Sequence, residues 1–461
     1  MPPVVPQPGT ERPKPYSGYF QRGTSVADPE LTQIGPGTPM GEYMRRFWQP
    51  VCLSGQLTGV PLAIRVLSED LVAYLDGAGT VGVLHRHCSH RGTSLEYGIV
   101  SERGLRCCYH GWLFDADGSI LETPGESPSS PLKETFRHGS YPAHEYEGLI
   151  FVYMGPPEER PPFVTYDTAE VAGNALVPFS LAHPCNWLQI HENHMDPVHS
   201  VFLHVQIGGD QLPRAWGELP VLSFRETDDG AGMVYISNRR KDDETIWVRN
   251  QQAHLPNFVQ IAGIFDLGRQ ERYFTRAGME WWTVPNDDTH STVFGWRHFN
   301  DEVDPRHEGC RDLIGVESCD HIAGRTHTNT YETQQREPGD WEVLVSQRPI
   351  AIHGLEHLGT TDAGVVMLRR LLRQAVRKEN PSAWPDRRFT KTTRLSTSVQ
   401  DTTLSVPMRP GVDDREVLGR YGTAVTDAVL DSAGQPTSER RARVEARVLL
   451  ERQNSTRADR V

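Results

Sequence analysis

At 461 residues the chain is long enough for two or three domains with sizeable cores. Its formal net charge of -13 argues against nucleic acid or an anionic membrane surface as a partner, and no apolar run approaches the ~20 residues of a membrane span. Seven cysteines, an odd count with two adjacent, fit a reduced cytoplasmic protein rather than a disulfide scaffold.

Residues 1–34 open with MPPVVPQPGTERPKP, a Pro-rich stretch without an apolar core, and read as a tail rather than a signal peptide. GPGTPMGEYMRRFWQPV (35–51) predicts a short helix running into a strand. From Val51 to Met154 come brief β-like segments broken by turns, with hairpins marked by Asp76-Gly77 and Asp117-Gly118. Residues 35–160 therefore read as a small antiparallel β domain, closed by the Pro-rich GPPEERPPF. Residues 161–435 mix helical patterns with strands such as GMVYIS, VQIAGIFDLG and STVFGWRHF, so an α+β domain follows. Thr360 or Thr361 caps a predicted helix ending at Arg377, with Val365, Leu368, Leu372 and Val376 as its buried stripe. Its Arg369, Arg370, Arg373 and Arg377 read as a solvated face, with a docking patch as the alternative. Residues 436–461 form an Arg-rich tail whose helical segment from Ser438 is expected to fray.

The stretch from His85 to Gly118 carries two ligand pairs, Cys88-x-His90 and Cys107-x-x-His110, with 16 residues between them. Thiolates with imidazoles suit zinc or an iron–sulfur centre. Zinc knuckles donate like ligands in pairs, whereas each loop here supplies one Cys and one His. That division fits a Rieske [2Fe–2S] cluster, where two Cys hold one iron and two His the other. Gly92 and Gly111 let both loops turn tightly, and Tyr109, Trp112 and Phe114 limit solvent. Cys108 is not needed as a ligand.

The segment NWLQIHENHMDPVHSVFLH (186–204) holds four His, a Glu and an Asp between His191 and His204. A non-haem Fe(II) centre needs two His and a carboxylate that leave positions open on the metal. His191 and His194 are one helical turn apart. His199 and His204 are five apart, about 140° out of line on an ideal α-helix, and converge only through a π-bulge or a helix end. Spacing alone leaves both pairs open.

CSHRGTSL and CCYHGWLFDADG resemble the two binding loops of Rieske proteins, and E-N-x-x-D-P-x-H-S-x-x-x-x-H resembles the mononuclear iron motif of Rieske non-haem iron aromatic ring-hydroxylating oxygenases. GPGTPMGEYMRRFWQPV, YPAHEYEGLIFVYMGPP and EHLGTTDAGVVMLRRLL are similar to the phthalate dioxygenase-like branch, so the resemblance covers most of the chain. It implies an N-terminal Rieske domain and a C-terminal helix-grip domain of antiparallel sheet and helix. It also implies Cys88, His90, Cys107 and His110 on the cluster, and His199 and His204 on the iron. The third iron ligand falls on Asp340 in GDWEVLVSQRPIAIHGLEHLG, with Glu337, Glu342 and Asp362 as rivals, because Gly339 and Arg348 depart from the family's pattern. Asp196 corresponds to the Asp that links the cluster His to the iron His, and Asn193 to an Asn near the iron. His191 and His194 then become neighbours of the site or solvent-facing residues.

The implied activity is that of a terminal oxygenase using O₂ to hydroxylate or cis-dihydroxylate an aromatic substrate, an aromatic acid by preference. The alternative is O-demethylation or monooxygenation of a methoxylated aromatic. The two histidines lift a Rieske potential to roughly −150 to +300 mV, within reach of a lower-potential donor. No Rossmann fingerprint is present, so a separate reductase with flavin and iron–sulfur centres is expected to bring electrons from NAD(P)H. The resemblance further implies a homotrimer or stacked trimers. A plain Rieske electron carrier would need only about the first 160 residues, leaving the 186–204 cluster without a role. Candidate pocket residues lie on strands beyond 240: Arg249, Phe265, Trp281, Trp282 and Trp296, although the core is the expected place for most of these aromatics.

Overall fold

Thr38 starts the first clear element. Its side chain accepts a hydrogen bond from the Gly41 amide and caps the helix Pro39–Met44, which leads into the strand Gln49–Leu53. The computed structural model describes residues 26–207, 211–265, 268–320, 330–389 and 393–458. Most of the N-terminal tail (1–25) and the last three residues lie outside them.

The N-terminal part holds three small antiparallel sheets. One joins Gln49–Leu53 to Leu149–Val152 and Ala143–Tyr146. A second joins Leu62–Val66, Glu69–Leu75, Val81–His85 and Ser140–Tyr141. The third, built of very short strands from Ile99–Val100 to Ile120–Glu122, lies between and after the two Cys/His loops. Both Asp-Gly turns close hairpins as expected. Asp76 does more than turn the chain: one carboxylate oxygen accepts from the Thr80 amide (2.8 Å) and the other from the Gly104 amide (3.1 Å), joining two sheets.

An eight-stranded antiparallel sheet forms the C-terminal part. Its order runs Ala175–His183, His290–Phe299, Ala277–Asp287, Phe258–Ala262, Thr245–His254, Gly232–Asp242, Val221–Glu226, with Gln400–Ser405 also paired to Thr245–His254. The architecture is thus α+β. One core spans both parts: Phe151 meets Trp282 edge-on at 5.3 Å, Trp282 meets Trp296 at 5.1 Å, and the Trp296 indole donates to the Glu147 carbonyl.

Two expectations change in the C-terminal helices. Asp362, rather than either threonine, precedes the helix Ala363–Val376, whose buried stripe also takes in Leu371 and Ala375. Its arginines are not a free solvated face. Arg369 is buried between Glu192 and Glu356, while Arg370, Arg373 and Arg377 pair with Glu226, Asp28 and Glu30. Apart from Glu356, the acidic partners lie far away in sequence, so no local pattern shows them. The Arg-rich segment does not fray: Thr437–Ala458 is a helix whose Val444 and Val448 are buried with Val425 and Val429 of the helix Asp414–Leu430. Arg440 of the same helix is buried too, with its guanidinium 4.6 Å from the Phe274 ring.

Candidate active site

The two Cys/His loops have the same backbone design. The Cys88 amide donates to the Thr93 carbonyl and the Gly92 amide to the Cys88 carbonyl; Cys107, Trp112 and Gly111 repeat both bonds. Gly92 and Gly111 sit at φ +78° and +74°, a conformation that costs other residues. The loops bring the buried Cys88 and Cys107 thiols within hydrogen-bonding reach of each other and set the His90 and His110 rings 4.6 Å apart. His90 stacks flat on Trp112 at 4.6 Å. Its Nδ1 is buried without a hydrogen-bond partner, as a ligating nitrogen with its metal removed would be. Burial pushes the Cys88 thiol up to about 11, although the His90 and Arg91 amides point at its sulfur. An anionic thiolate there calls for a cation. This donor set fits a Rieske cluster.

The second constellation begins on the helix Trp187–Asn193, capped by Asn186. After a turn the chain forms one helical turn at His199–Val201, then a π-helix at Phe202–Ile207. The wider π turn brings positions five apart onto one side. His199 and His204 therefore converge, with Asp340 opposite: the two Nε2 atoms lie 3.5 and 3.3 Å from Asp340 Oδ1. One ligand atom from each residue falls within 4.8 Å of the others, a group of three that can hold a metal ion. The other ring nitrogens face outward. His199 Nδ1 donates to the Asp196 carbonyl and His204 Nδ1 to Gln211 Oε1, which leaves each Nε2 lone pair for a metal.

Asp340 opens the helix Asp340–Val345 and accepts a 3.1 Å hydrogen bond from Asn193 Nδ2. Burial alone would raise its carboxyl, but His204, His199 and Asn193 hold it well below its ordinary value. The rival carboxylates are employed elsewhere or turned away: Glu342 accepts from the Gly339 amide, Asp362 from the Gly359 amide, and Glu337 is exposed. Asp196 is partly exposed, with Oδ2 3.9 Å from His199 Nδ1. His191 and His194 are both buried, and burial pushes each imidazole down to about 3. Neither faces solvent, and His194 lines the cavity described next.

That cavity, of about 160 Å³, opens on the His199/His204/Asp340 face. Phe179, Leu181, Ile261, Ile264, Met279 and Trp281 give it apolar walls. Of the proposed pocket residues only Trp281 is among the described lining. Arg249 is fully buried behind Trp216, 4.1 Å from that ring; Phe265 covers Arg297; Trp282 and Trp296 belong to the shared core.

Sequence reasoning missed two supports. Gln211 holds His204 and also donates to the Pro338 carbonyl, two residues before Asp340. Glu192, beside Asn193, is gripped by the Arg369 guanidinium through two bonds. Its one local signal is a Glu inside an otherwise buried helix.

A family model for the Rieske [2Fe-2S] domain matches residues 47–142. The oxygenase subunit of tert-butanol monooxygenase / tert-amyl alcohol desaturase from Aquincola tertiaricarbonis is 46% identical over 93% of this chain and 94% of its own length. Phenoxybenzoate dioxygenase subunit alpha from Ectopseudomonas oleovorans is 38% identical over 77% of this chain and 86% of its own. Among solved structures, Pseudomonas putida CBB5 NdmA with caffeine matches with a TM-score of 0.57 at 19% identity, over 80% of this chain and 98% of that one. The last likeness concerns the fold.

Proposed function

This chain belongs to the Rieske non-haem iron oxygenases, as an oxygenase subunit, and from that premise we propose that it monooxygenates a compact, uncharged, largely apolar substrate. The cofactors are a Rieske [2Fe–2S] cluster and a mononuclear non-haem iron, and electrons come from a separate reductase. The observation that carries the substrate reading is the cavity. An engineered apolar cavity of about 150 Å³ takes benzene, so about 160 Å³ suits one small ring or a branched alkyl group. An aromatic acid would need a cation at its carboxylate. Among the described lining residues there is no Arg or Lys, and burial pushes His183 down to about 4 and His194 to about 3, so both stay neutral. The relative named for tert-butanol and tert-amyl alcohol favours a small tertiary alcohol.

When bound, the two metal groups supply one-electron transfer and O₂ activation. The chain's own residues do the rest. We assign the cluster to Cys88, His90, Cys107 and His110, and the iron to His199, His204 and Asp340. Asn193 fixes the Asp340 carboxylate, and the apolar walls hold a C–H bond near the metal while excluding water. In the overall reaction one oxygen atom enters the substrate C–H bond and the other leaves as water, with electrons from NAD(P)H through a flavin and iron–sulfur reductase. We further propose a head-to-tail homotrimer, or stacked trimers, in which one chain's His90/His110 tip meets the next chain's Asp196. The exposure of Tyr109 at that tip and of the Asp196 carboxylate supports it.

The test is oxygen uptake and product analysis with a surrogate reductase. Hydroxylation of 2-methyl-2-butanol or tert-butanol, with benzoate and phthalate inert, is the expected result. Methoxybenzene is included, because O-demethylation would use the same cavity. Turnover of the aromatic acids without turnover of the alcohols would overturn the reading.

A further inference from the structure

The cavity wall is apolar except at a few places, and two of these face each other across a strand pair. Tyr235 on Gly232–Asp242 stands directly opposite Gln251 on Thr245–His254. Residues so paired share one face of the sheet, and both line the cavity. Each is 4% exposed. Neither side chain hydrogen-bonds to any described residue, whereas Gln252, next to Gln251, binds the Ser398 amide. A phenol and a carboxamide that line the cavity without a protein partner offer their hydrogen bonds to whatever occupies it. Burial also raises the Tyr235 phenol above its ordinary value, so it stays a neutral O–H donor.

We infer that Tyr235 and Gln251 form the subsite for a single oxygen function on the substrate, and that the substrate class is a compact alcohol. This rests on the uncharged-substrate reading above and adds to it. The two groups are complementary to one hydroxyl. Tyr235 donates its O–H to the substrate oxygen, and the Gln251 amide oxygen accepts the substrate's O–H. An ether satisfies the first contact and leaves the Gln251 oxygen unmet; a hydrocarbon satisfies neither. A carboxylate can take donors from Tyr235 and the Gln251 amide, but its charge meets no cation among the described lining residues. With the hydroxyl at this pair, the alkyl branches lie among the apolar lining residues such as Leu181, Ile261 and Met279.

Equilibrium dialysis on the iron-loaded, cluster-loaded enzyme tests it, with 2-methyl-2-butanol and its hydroxyl-free analogue 2,2-dimethylbutane as probes. Tyr235→Phe and Gln251→Leu are each expected to raise Kd and KM for the alcohol about tenfold or more, because a site built around a hydroxyl loses its discrimination with either partner. Kd for the hydrocarbon should stay the same or fall. Gln251→Glu serves as a second variant that keeps the acceptor, and it should retain most of the alcohol affinity. Cluster absorbance and iron content report that the fold is intact. Alcohol affinity unchanged in both variants, or alcohol and hydrocarbon weakened equally, would overturn the inference. A failure of the underlying reading looks different: the wild-type enzyme itself would not turn over the alcohol.

Discussion

His204 Nδ1 and Gln211 Oε1 lie 3.0 Å apart, a contact that helps tie together the two arms of the proposed iron site. Gln211 uses its other end, Nε2, on the Pro338 carbonyl at 2.9 Å, just before Asp340. Gln211 thus bridges the π-helix arm and the carboxylate arm, alongside the direct approach of His204 to Asp340. Removing a partner that orients a ligating imidazole typically costs 10–100-fold in metal affinity. Gln211→Ala should weaken Fe(II) binding by about that factor, while Gln211→Glu, which keeps the acceptor, should recover most of it. Titration of iron-depleted protein reads this directly, with the cluster absorbance as an internal control. Undiminished affinity in Gln211→Ala would show that the ring is oriented by other means.

Gln211 also shows where the sequence stops being informative. His199 and His204 are legible because their spacing makes sense in only a few geometries, and a π-helix is one of them. The two Cys/His loops are legible because each carries its ligands and its turn glycine within five residues. Asp340 could be chosen over its rivals only by resemblance; in the fold it alone of the four faces the histidines, since Glu342 and Asp362 serve as local caps and Glu337 is exposed. Contacts such as Gln211 with Pro338, or Arg369 with Glu192, join segments more than a hundred residues apart. No period or motif encodes them. The pocket residues fared likewise, since which strand face is turned to the cavity depends on how the whole sheet curls.

Arg369 yields a stability prediction. Its guanidinium and the Glu192 carboxylate are about nine-tenths buried, and Glu356 completes the group from the rim. Breaking such a pair on one side strands the other charge, which costs about 3–5 kcal/mol. Arg369→Met should lose that much in urea unfolding, and the Arg369→Met/Glu192→Met double variant should recover a large part. Should both lose equally, the pair would matter for packing rather than charge.

His191 makes the protein sensitive to acid. Neither ring nitrogen has a hydrogen-bond partner, and burial lowers the imidazole from 6.5 to about 3. The unfolded chain thus binds the proton more tightly than the folded one. The stability tied to a neutral His191 is fully present above the unfolded value, near 6.5, and is lost progressively as pH falls towards the folded value. Between about pH 6.5 and about pH 5 this amounts to roughly 2 kcal/mol. His191→Leu keeps an apolar side chain in that place, so its advantage over wild type should widen on acidification. Thermal melts of both proteins at the two pH values give the answer; parallel losses would refute the assignment.

His90 is tested as a cluster ligand by its effect on the potential. His ligation of one iron sets Rieske potentials several hundred millivolts above the ~−400 mV of plant-type all-Cys clusters. His90→Cys, where the new thiol retains the cluster, should drop the midpoint potential by a few hundred millivolts and stop reduction by the native donor. Spectroelectrochemical titration measures it. A potential that stays in the Rieske range would remove His90 from the ligand set.

Asp196 decides the route of the electron. Its carbonyl accepts from His199 Nδ1, and its Oδ1 accepts from the Val198 amide at 3.0 Å. Its Oδ2 lies 3.9 Å from His199 Nδ1, on a side chain that is partly exposed. In the proposed trimer that oxygen accepts a hydrogen bond from the imidazole of a neighbouring chain's cluster, so one carboxylate orients rings at both metals. Asp196→Asn keeps the backbone contact and the shape but replaces the charged acceptor with an amide. Both metals and the oligomeric state should survive, while oxidation of the reduced cluster in a single turnover slows about tenfold or more. Stopped-flow absorbance on the pre-reduced enzyme, mixed with O₂ and substrate, follows the step. Sedimentation of the same sample fixes the assembly. Cluster oxidation as fast as in wild type, or full activity in a monomer, would mean that the electron does not cross between subunits at Asp196.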